Sequence, residues 1–310
     1  VTLLTGFLGA GKTTLLNRLL SDRGAPPTAV IVNEIGALGI DGRLVVGASD
    51  AVIELTNGCI CCEVREDLRR TALELLAGRK RWLRPFRFER LLVETSGLAT
   101  PGPLIQTFLL DPQLAAETQV DGVVAVAHAG HIARQILDHP EAAAQLASAD
   151  RVLLNHMDTA AEGALDAVVS AAPLAEVLPS IRAEVPLAPL LDIGGGAPGR
   201  WRFTPTVAAH STGVVTWSRT TGAVELPRIK MFLQHVAARR GWEILRMKGI
   251  FRCPGLRNAV VAQGVYQWLE IGPSALAPPE QSGVVVIGRG VDLDELERAW
   301  VAAVGAPAAG

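Results

Sequence analysis

Gly6 to Thr14 read GFLGAGKTT, and no other stretch of the chain limits its fold so tightly. Gly6, Gly11, Lys12 and Thr13 satisfy the pattern G-x-x-x-x-G-K-[ST]. The residues before it, VTLLT, are apolar and β-prone. Those after it, TLLNRLL, set Leu15, Leu16, Leu19 and Leu20 at helical spacing. Strand, glycine-rich turn and helix together give the pattern its mechanism. Glycines let backbone N–H groups close around phosphate oxygens, and the helix N-terminus adds a favourable dipole. Lys12 would neutralise the outer phosphates and Thr13 would offer a hydroxyl to Mg²⁺.

The chain continues in the same style. TAVIVNE, DAVIEL, ERLLVETSG, VDGVVAVAHA and ADRVLLNHMD read as strands, and helical patterns such as residues 66–77 and 160–172 alternate with them. Continuously apolar strands separated by helices predict an α/β fold: a P-loop NTPase parallel sheet with helices on both faces. Polar residues gather at the carboxyl ends of these strands, the edge where open α/β sheets bind ligands. Asn155 and Asp158 of LLNHMD suit guanine, the carboxylate accepting from the ring N1–H and the exocyclic amine. His156 occupies the position between them where GTPases carry lysine, and its imidazole could lie flat against the base. Glu94 can hold Mg²⁺ through water, and the Gly97 N–H can contact a γ-phosphate. The segment NEIGALGIDG looks like a loop able to order around that phosphate, with Glu34 and Asp41 as its working carboxylates. A kinase or transferase that uses ATP on the same phosphate loop, with structural cysteines, stays open on these residues alone.

Cys59, Cys61 and Cys62 are three of only four cysteines in the chain. A disulfide between neighbours is strained, and thiolates packed so tightly repel one another unless a cation holds them. Zn²⁺, Co²⁺ or Cu(I) would do so, with Glu34, a backbone group or water as a fourth ligand. Cys253 has no sequence partner. With 310 residues, 49% hydrophobic and 19% charged, the chain can bury two cores. Its net charge of −2 and lack of a basic block point away from nucleic acid, and its short apolar runs away from a membrane. The first residues lack a secretory signal pattern and the cysteines are sparse, so a reducing, cytoplasmic location is expected.

Glycines from Gly194 to Gly199 mark a joint. The expected division is a nucleotide domain over 1–195, a linker over 196–206 and a smaller α+β domain over 207–310. In the last, residues 259–272 read as strand, PRIKMFLQHVAARR and DLDELERAWVAAV as helices capped by polar starts, and His210 and Lys248 as the most pointed polar residues. A client-docking or dimerising module is the expected role, so a homodimer is a candidate assembly.

TGFLGAGKTTLLN, NEIGALGIDG, ELTNGCICC, VETSGLATP and NHMD, in this order, resemble the CobW family of P-loop GTPases, itself similar to the nickel chaperones UreG and HypB. ILRMKGIFR and VVVIGRG extend the resemblance to the family's small C-terminal domain. It implies a slow, Mg²⁺-dependent GTPase that cycles between GTP and GDP and delivers zinc, or next cobalt, to a client metalloenzyme. Some members are linked instead to cobalamin synthesis or nitrile hydratase activation. Carried over, Gly9, Ala10, Gly11, Lys12, Thr13 and Thr14 form the phosphate loop. Glu94 and Gly97 form E-x-x-G, and Cys59, Cys61 and Cys62 form the metal motif C-x-C-C. Ala37, His128 and His156 depart from the family's usual Glu, Asp and Lys.

Overall fold

The computed structural model describes residues 1–22, 24–33, 52–55, 61–79, 88–194, 203, 206–209, 213–241 and 243–305. The side chains of 33, 52–55, 61–64, 79, 206–209 and 240 are outside that description. The chain divides into two compact units, Val1–Gly196 and Ala197–Gly310.

In the first unit, seven parallel strands run in the order β3-β2-β4-β1-β5-β6-β7. They are β1 (Thr2–Thr5), β2 (Thr28–Asn33), β3 (Val52–Leu55), β4 (Arg90–Glu94), β5 (Gly122–His128), β6 (Arg151–Asn155) and β7 (Glu176–Pro179). All four residues of β1 are buried, as are all five of β6, so both faces of the sheet's centre are covered. Helix α1 (Lys12–Ser21) follows β1 and buries Leu15, Leu16 and Leu19. These join Leu4, Val30, Val124, Val126 and Leu153 of the sheet, and Ala183, Val185 and Leu190 of a later segment, in one apolar cluster. Burial of that stripe, at roughly 1.5–3 kcal/mol per large side chain, fixes where the turn between β1 and α1 must stand.

Helix α2 (Cys61–Arg79) follows β3, and α3 (Gly102–Leu110) and α4 (Pro112–Glu117) follow β4. Asp111 caps α4, accepting from the backbone N–H groups of Gln113 and Leu114. Helices α5 (Ile132–Asp138), α6 (Pro140–Ala147), α7 (Ala164–Ala171) and α8 (Leu187–Leu191) complete the unit's described helices. Sequence periodicity places α7 over 160–172. The helix starts only at Ala164, because Met157–Thr159 winds as a 3₁₀ turn and Gly163 enters the helix at φ 73°.

The second unit is an antiparallel sheet in the order β12-β11-β10-β13-β9-β8. Its strands are β8 (Thr206–Ala209), β9 (Val214–Thr221), β10 (Ile244–Phe251), β11 (Val260–Val265), β12 (Trp268–Pro273) and β13 (Ser282–Arg289). Helices α9 (Leu226–Arg240) and α10 (Leu293–Val304) pack Ile229, Phe232, Leu233, Val236, Leu296 and Trp300 against Trp217, Met247, Phe251, Val284 and Val286. Alternate strand residues face the helices, the pattern of a sheet covered by helices on that face. The stretch 259–272 is two strands, not one. Tyr266 turns the chain at φ 53°, and Val265 pairs with Trp268 across the reversal. No Asn-Gly or Gly-Gly pair announces that turn, so the apolar pattern reads straight through it. Lys248 lies within β10 and is 1% exposed, a packed side chain. His210 lies outside the described residues.

Candidate nucleotide site

Parallel strands all end on one edge of the sheet, and Glu94 and Asn155, each the last residue of its strand, stand on it. Glu94, Leu4 and Val32 share one register row across β4, β1 and β2. Beyond β1 the phosphate loop runs to Lys12. Gly9 is exposed, Ala10 buried, Thr13 half-buried and Thr14 exposed. Lys12 Nζ donates to the carbonyl oxygens of Gly6 (2.9 Å) and Phe7 (3.4 Å), so its ammonium is folded onto its own loop.

Asn155 closes this loop from the end of β6. It is 1% exposed and fully engaged: Nδ2 donates to Ala10 O at 3.2 Å, while Oδ1 accepts from Ser180 Oγ at 3.0 Å and Ala183 N at 2.9 Å. Gly11, at φ 105°, permits that approach; a Cβ there would lie 2.5 Å from Asn155 Nδ2. Arg182 and Ala183 both hold positive φ, 52° and 57°, and Arg18 of α1 donates to the Ala183 carbonyl at 2.6 Å. Two successive strained residues beside the loop mark the segment after β7 as part of the site. Sequence reading misses that segment because β7 is a half-exposed four-residue edge strand with no apolar run to flag it.

Glu94, 5% exposed, is the last residue of β4. The next residue, Thr95, donates through Oγ1 to Thr5 Oγ1 at 2.9 Å and so ties this strand end to the root of the phosphate loop. Gly97 meets the loop itself, since a Cβ on it would lie 2.9 Å from Leu8 N. Gln145 of α6, also missed, donates to the carbonyls of Gly97 (3.0 Å) and Ala99 (2.9 Å) from a fully buried position.

His156 stands at φ 60°, a left-handed conformation that histidine enters more readily than most residues. Its ring stacks on that of His128 with centroids 4.1 Å apart and planes 7° apart. Asp158 is exposed and makes no hydrogen bond or ion pair among the described residues. Asn155 therefore ties the loop after β6 to the phosphate loop, and the loops after β5 and β7 are bonded to Asn155 in turn.

The other predicted residues divide differently. Glu34, Asp41 and Cys59 lie outside the described residues, as does Ala37. Cys61 and Cys62 are the first two residues of α2, their side chains outside the description. β2 and β3 are parallel neighbours with Asn33 paired to Leu55, so the chain leaves the sheet toward Glu34 and toward Cys59 from adjacent points on the same edge. Cys253 is 3% exposed and unpaired, its thiol pushed up by burial, as a small apolar side chain would be.

Residues 1–180 match the family model "CobW/HypB/UreG, nucleotide-binding domain". The chain belongs to the CobW family. Residues 214–304 match the model of the "Cobalamin synthesis protein cobW C-terminal domain", so the CobW pattern extends through the second unit. Its first unit is accordingly a nucleotide-binding domain of the P-loop GTPase type. The zinc chaperone YjiA of Escherichia coli is 32% identical over 278 residues, covering 86% of this chain and 85% of the relative. The zinc chaperone CobW of Pseudomonas aeruginosa is 34% identical over 313 residues, with 86% and 80% covered. The crystal structure of Zn(II)-bound YjiA GTPase superposes with a TM-score of 0.76 at 25% identity, covering 97% of this CobW-family chain and 98% of that one. No described helix is long and apolar enough to cross a membrane.

Proposed function

We propose that the chain is a GTP-dependent metallochaperone, which binds and hydrolyses GTP and carries zinc on Cys59, Cys61 and Cys62 to a client metalloenzyme. One observation carries the reading. The ends of β2 and β3, after which the chain continues toward Glu34 and toward the cysteine motif, stand on the same sheet edge as the end of β1, from which the phosphate loop departs. A loop that orders around a γ-phosphate and the segment bearing the thiols would then start from neighbouring strand ends. Family membership and relatives named as zinc chaperones support it.

Gly9, Ala10, Gly11, Lys12, Thr13 and Thr14 hold the phosphates through backbone N–H groups and the lysine ammonium. Asn155 braces the base loop, Asp158 reads the guanine N1–H and amine, and His156 lies against the ring. The half-buried Thr13 hydroxyl and the buried Glu94 carboxylate fit Mg²⁺, which takes such oxygen donors and supplies charge neutralisation at the phosphates when bound. The Gly97 N–H meets the γ-phosphate, and Glu34 or Asp41 orients the attacking water. Cys61 and Cys62 open α2, and a helix N-terminus favours the thiolate form that metals require. Sulfur-rich tetrahedral coordination and the general affinity order favour Zn²⁺ over Co²⁺. GTP draws Glu34 and the thiols into a gripping geometry, and hydrolysis relaxes it for transfer. The second unit serves as the docking or dimerising module, and the thiols imply a reducing compartment such as the cytoplasm.

A zinc titration in the presence of GDP, and again with a non-hydrolysable GTP analogue, tests this. One equivalent of zinc bound tightly with the analogue, weakly with GDP and not at all by Cys61→Ser is expected. Equal affinity in both nucleotide states would remove the switch.

A further inference from the structure

His128 stacks on His156, with centroids 4.1 Å and planes 7° apart, and His131 leans on the His128 ring, with centroids 4.3 Å and planes 34° apart. Rings so arranged present faces, not lone pairs, to one another. Accordingly, no group of three His, Cys, Asp or Glu among the described residues is arranged to hold a metal ion. The stack is held by backbone. Ala129 N donates to Asn155 O (2.8 Å), His131 N to His128 O (2.9 Å) and Ala161 N to Ala129 O (3.1 Å), locking the loop after β5 to the loop after β6. Gly130 N donates to His128 Nδ1 at 3.1 Å, so Nδ1 carries a lone pair and the His128 ring is neutral in this arrangement. One face of His156 is covered by His128. Its Nε2 edge reaches to 3.8 Å from where a Cβ on Gly11 would stand, at the mouth of the phosphate loop.

We propose that His128 is a positioning residue of the nucleotide site: it backs His156 so that a purine base packs on the uncovered face as the next ring of the stack. This role rests on the guanine-nucleotide reading above. A ring on a left-handed backbone needs support to be a fixed floor rather than a mobile side chain, and His128, itself backed by His131, supplies it. Protonating His128 takes the Nδ1 lone pair from Gly130 and sets a cation against two imidazoles. Among the described residues, the titratable groups whose fields reach it are His156 and His131, which oppose the proton, and Asp158, which favours it. Burial, then those two imidazoles, hold its pKa below the ordinary histidine value. Base binding that requires the neutral ring is then full at neutral pH and lost as pH falls through that lowered pKa.

The test is equilibrium binding of GDP and of inorganic tripolyphosphate to the full chain between pH 8 and pH 5, for wild type, His128→Ala and His128→Phe. Thermal melting of each apo protein is recorded alongside. At pH 8, His128→Ala should weaken GDP roughly tenfold, the worth of one aromatic contact to a base, and leave tripolyphosphate unchanged. His128→Phe should restore GDP affinity and flatten its acid decline. Three results overturn the role: GDP affinity unchanged in His128→Ala, equal loss of both ligands, or a Phe variant as weak as the Ala variant. If the Ala protein melts early, the Phe variant alone decides, because wild-type affinity with an unaltered acid decline also overturns it. Wild-type protein that binds tripolyphosphate but no guanine nucleotide sinks the guanine reading and this role together. Tight GDP binding by wild type with any of the three overturning results leaves that reading standing alone.

Discussion

The carboxamide of Asn155 donates to the carbonyl of Ala10 across 3.2 Å, so the base loop and the phosphate loop share one buried hydrogen bond. The same side chain accepts from Ser180 and Ala183, which makes it the joint of three loops. Asn155→Ala leaves the Ala183 N–H and the Ser180 hydroxyl without that acceptor in a buried position. A cost of about 2–3 kcal/mol in unfolding free energy is expected, from one to two unsatisfied buried groups. Guanine nucleotide affinity should fall with it. Urea denaturation checks the first and fluorescent-GDP titration the second. A variant of unchanged stability would show that water replaces the amide there.

Gln145 lies under the turn that follows Glu94. Its two amide N–H groups both go to carbonyls, those of Gly97 and Ala99, which also fixes the orientation of the carboxamide. Gly97 in turn is pressed against the Leu8 backbone. Gln145→Leu keeps the volume and frees the turn. GTP hydrolysis should slow several-fold, of the order seen when one positioning group near a reacting phosphoryl is lost, while GDP binds as before because GDP lacks the phosphate that Gly97 is proposed to meet. A matching loss in GDP affinity would show a general collapse of the loop instead.

The parallel sheet and the phosphate loop were legible in the sequence because β1 and α1 carry complete local signals: a buried apolar strand, obligatory glycines and a leucine stripe. The places of Asn155 and Glu94 at the sheet's carboxyl edge were legible because a polar residue closing an apolar strand marks that edge. The segment Ser180–Ala183 was not, since its contribution is backbone geometry, two positive φ values that no residue type there announces. Gln145 was hidden for a related reason. On α6 it sits among alanines as an unremarkable helix former, and only the tertiary fold brings it under Gly97. His128 stood out in sequence solely as a departure from the family's acid. That it pairs with the second departure, His156, is a fact of strand adjacency between β5 and β6.

In the second unit the aromatic cluster Trp217, Phe232 and Trp300 joins both helices to the sheet. Trp300 meets the other two edge-on, at 5.8 Å and 5.3 Å. Trp217 Nε1 donates to Glu297 of the same helix as Trp300, at 3.0 Å. Trp300→Ala should destabilise this unit by about 3–5 kcal/mol through the cavity it leaves. Denaturation followed by tryptophan fluorescence and circular dichroism would register it as an early transition. GDP affinity should be unaltered, because every residue proposed to touch the nucleotide belongs to the first unit.

If GTP tightens the grip of the cysteine motif on zinc, zinc must tighten the grip of the phosphate site on GTP by the same factor, since both express one coupling free energy. Couplings of this kind run to ~1–3 kcal/mol, or about five- to 150-fold. The affinity of a non-hydrolysable GTP analogue should therefore rise on adding one equivalent of zinc and return when a chelator removes it. GDP affinity should respond far less, and Cys61→Ser should abolish the response without weakening the analogue in the metal-free state. The adjacent ends of β2 and β3 offer a physical route, since the chain continues from one toward Glu34 and from the other toward the cysteine motif. Analogue affinity indifferent to zinc, alongside zinc affinity that does depend on nucleotide, would violate linkage and expose the ion as bound elsewhere or by unfolded protein.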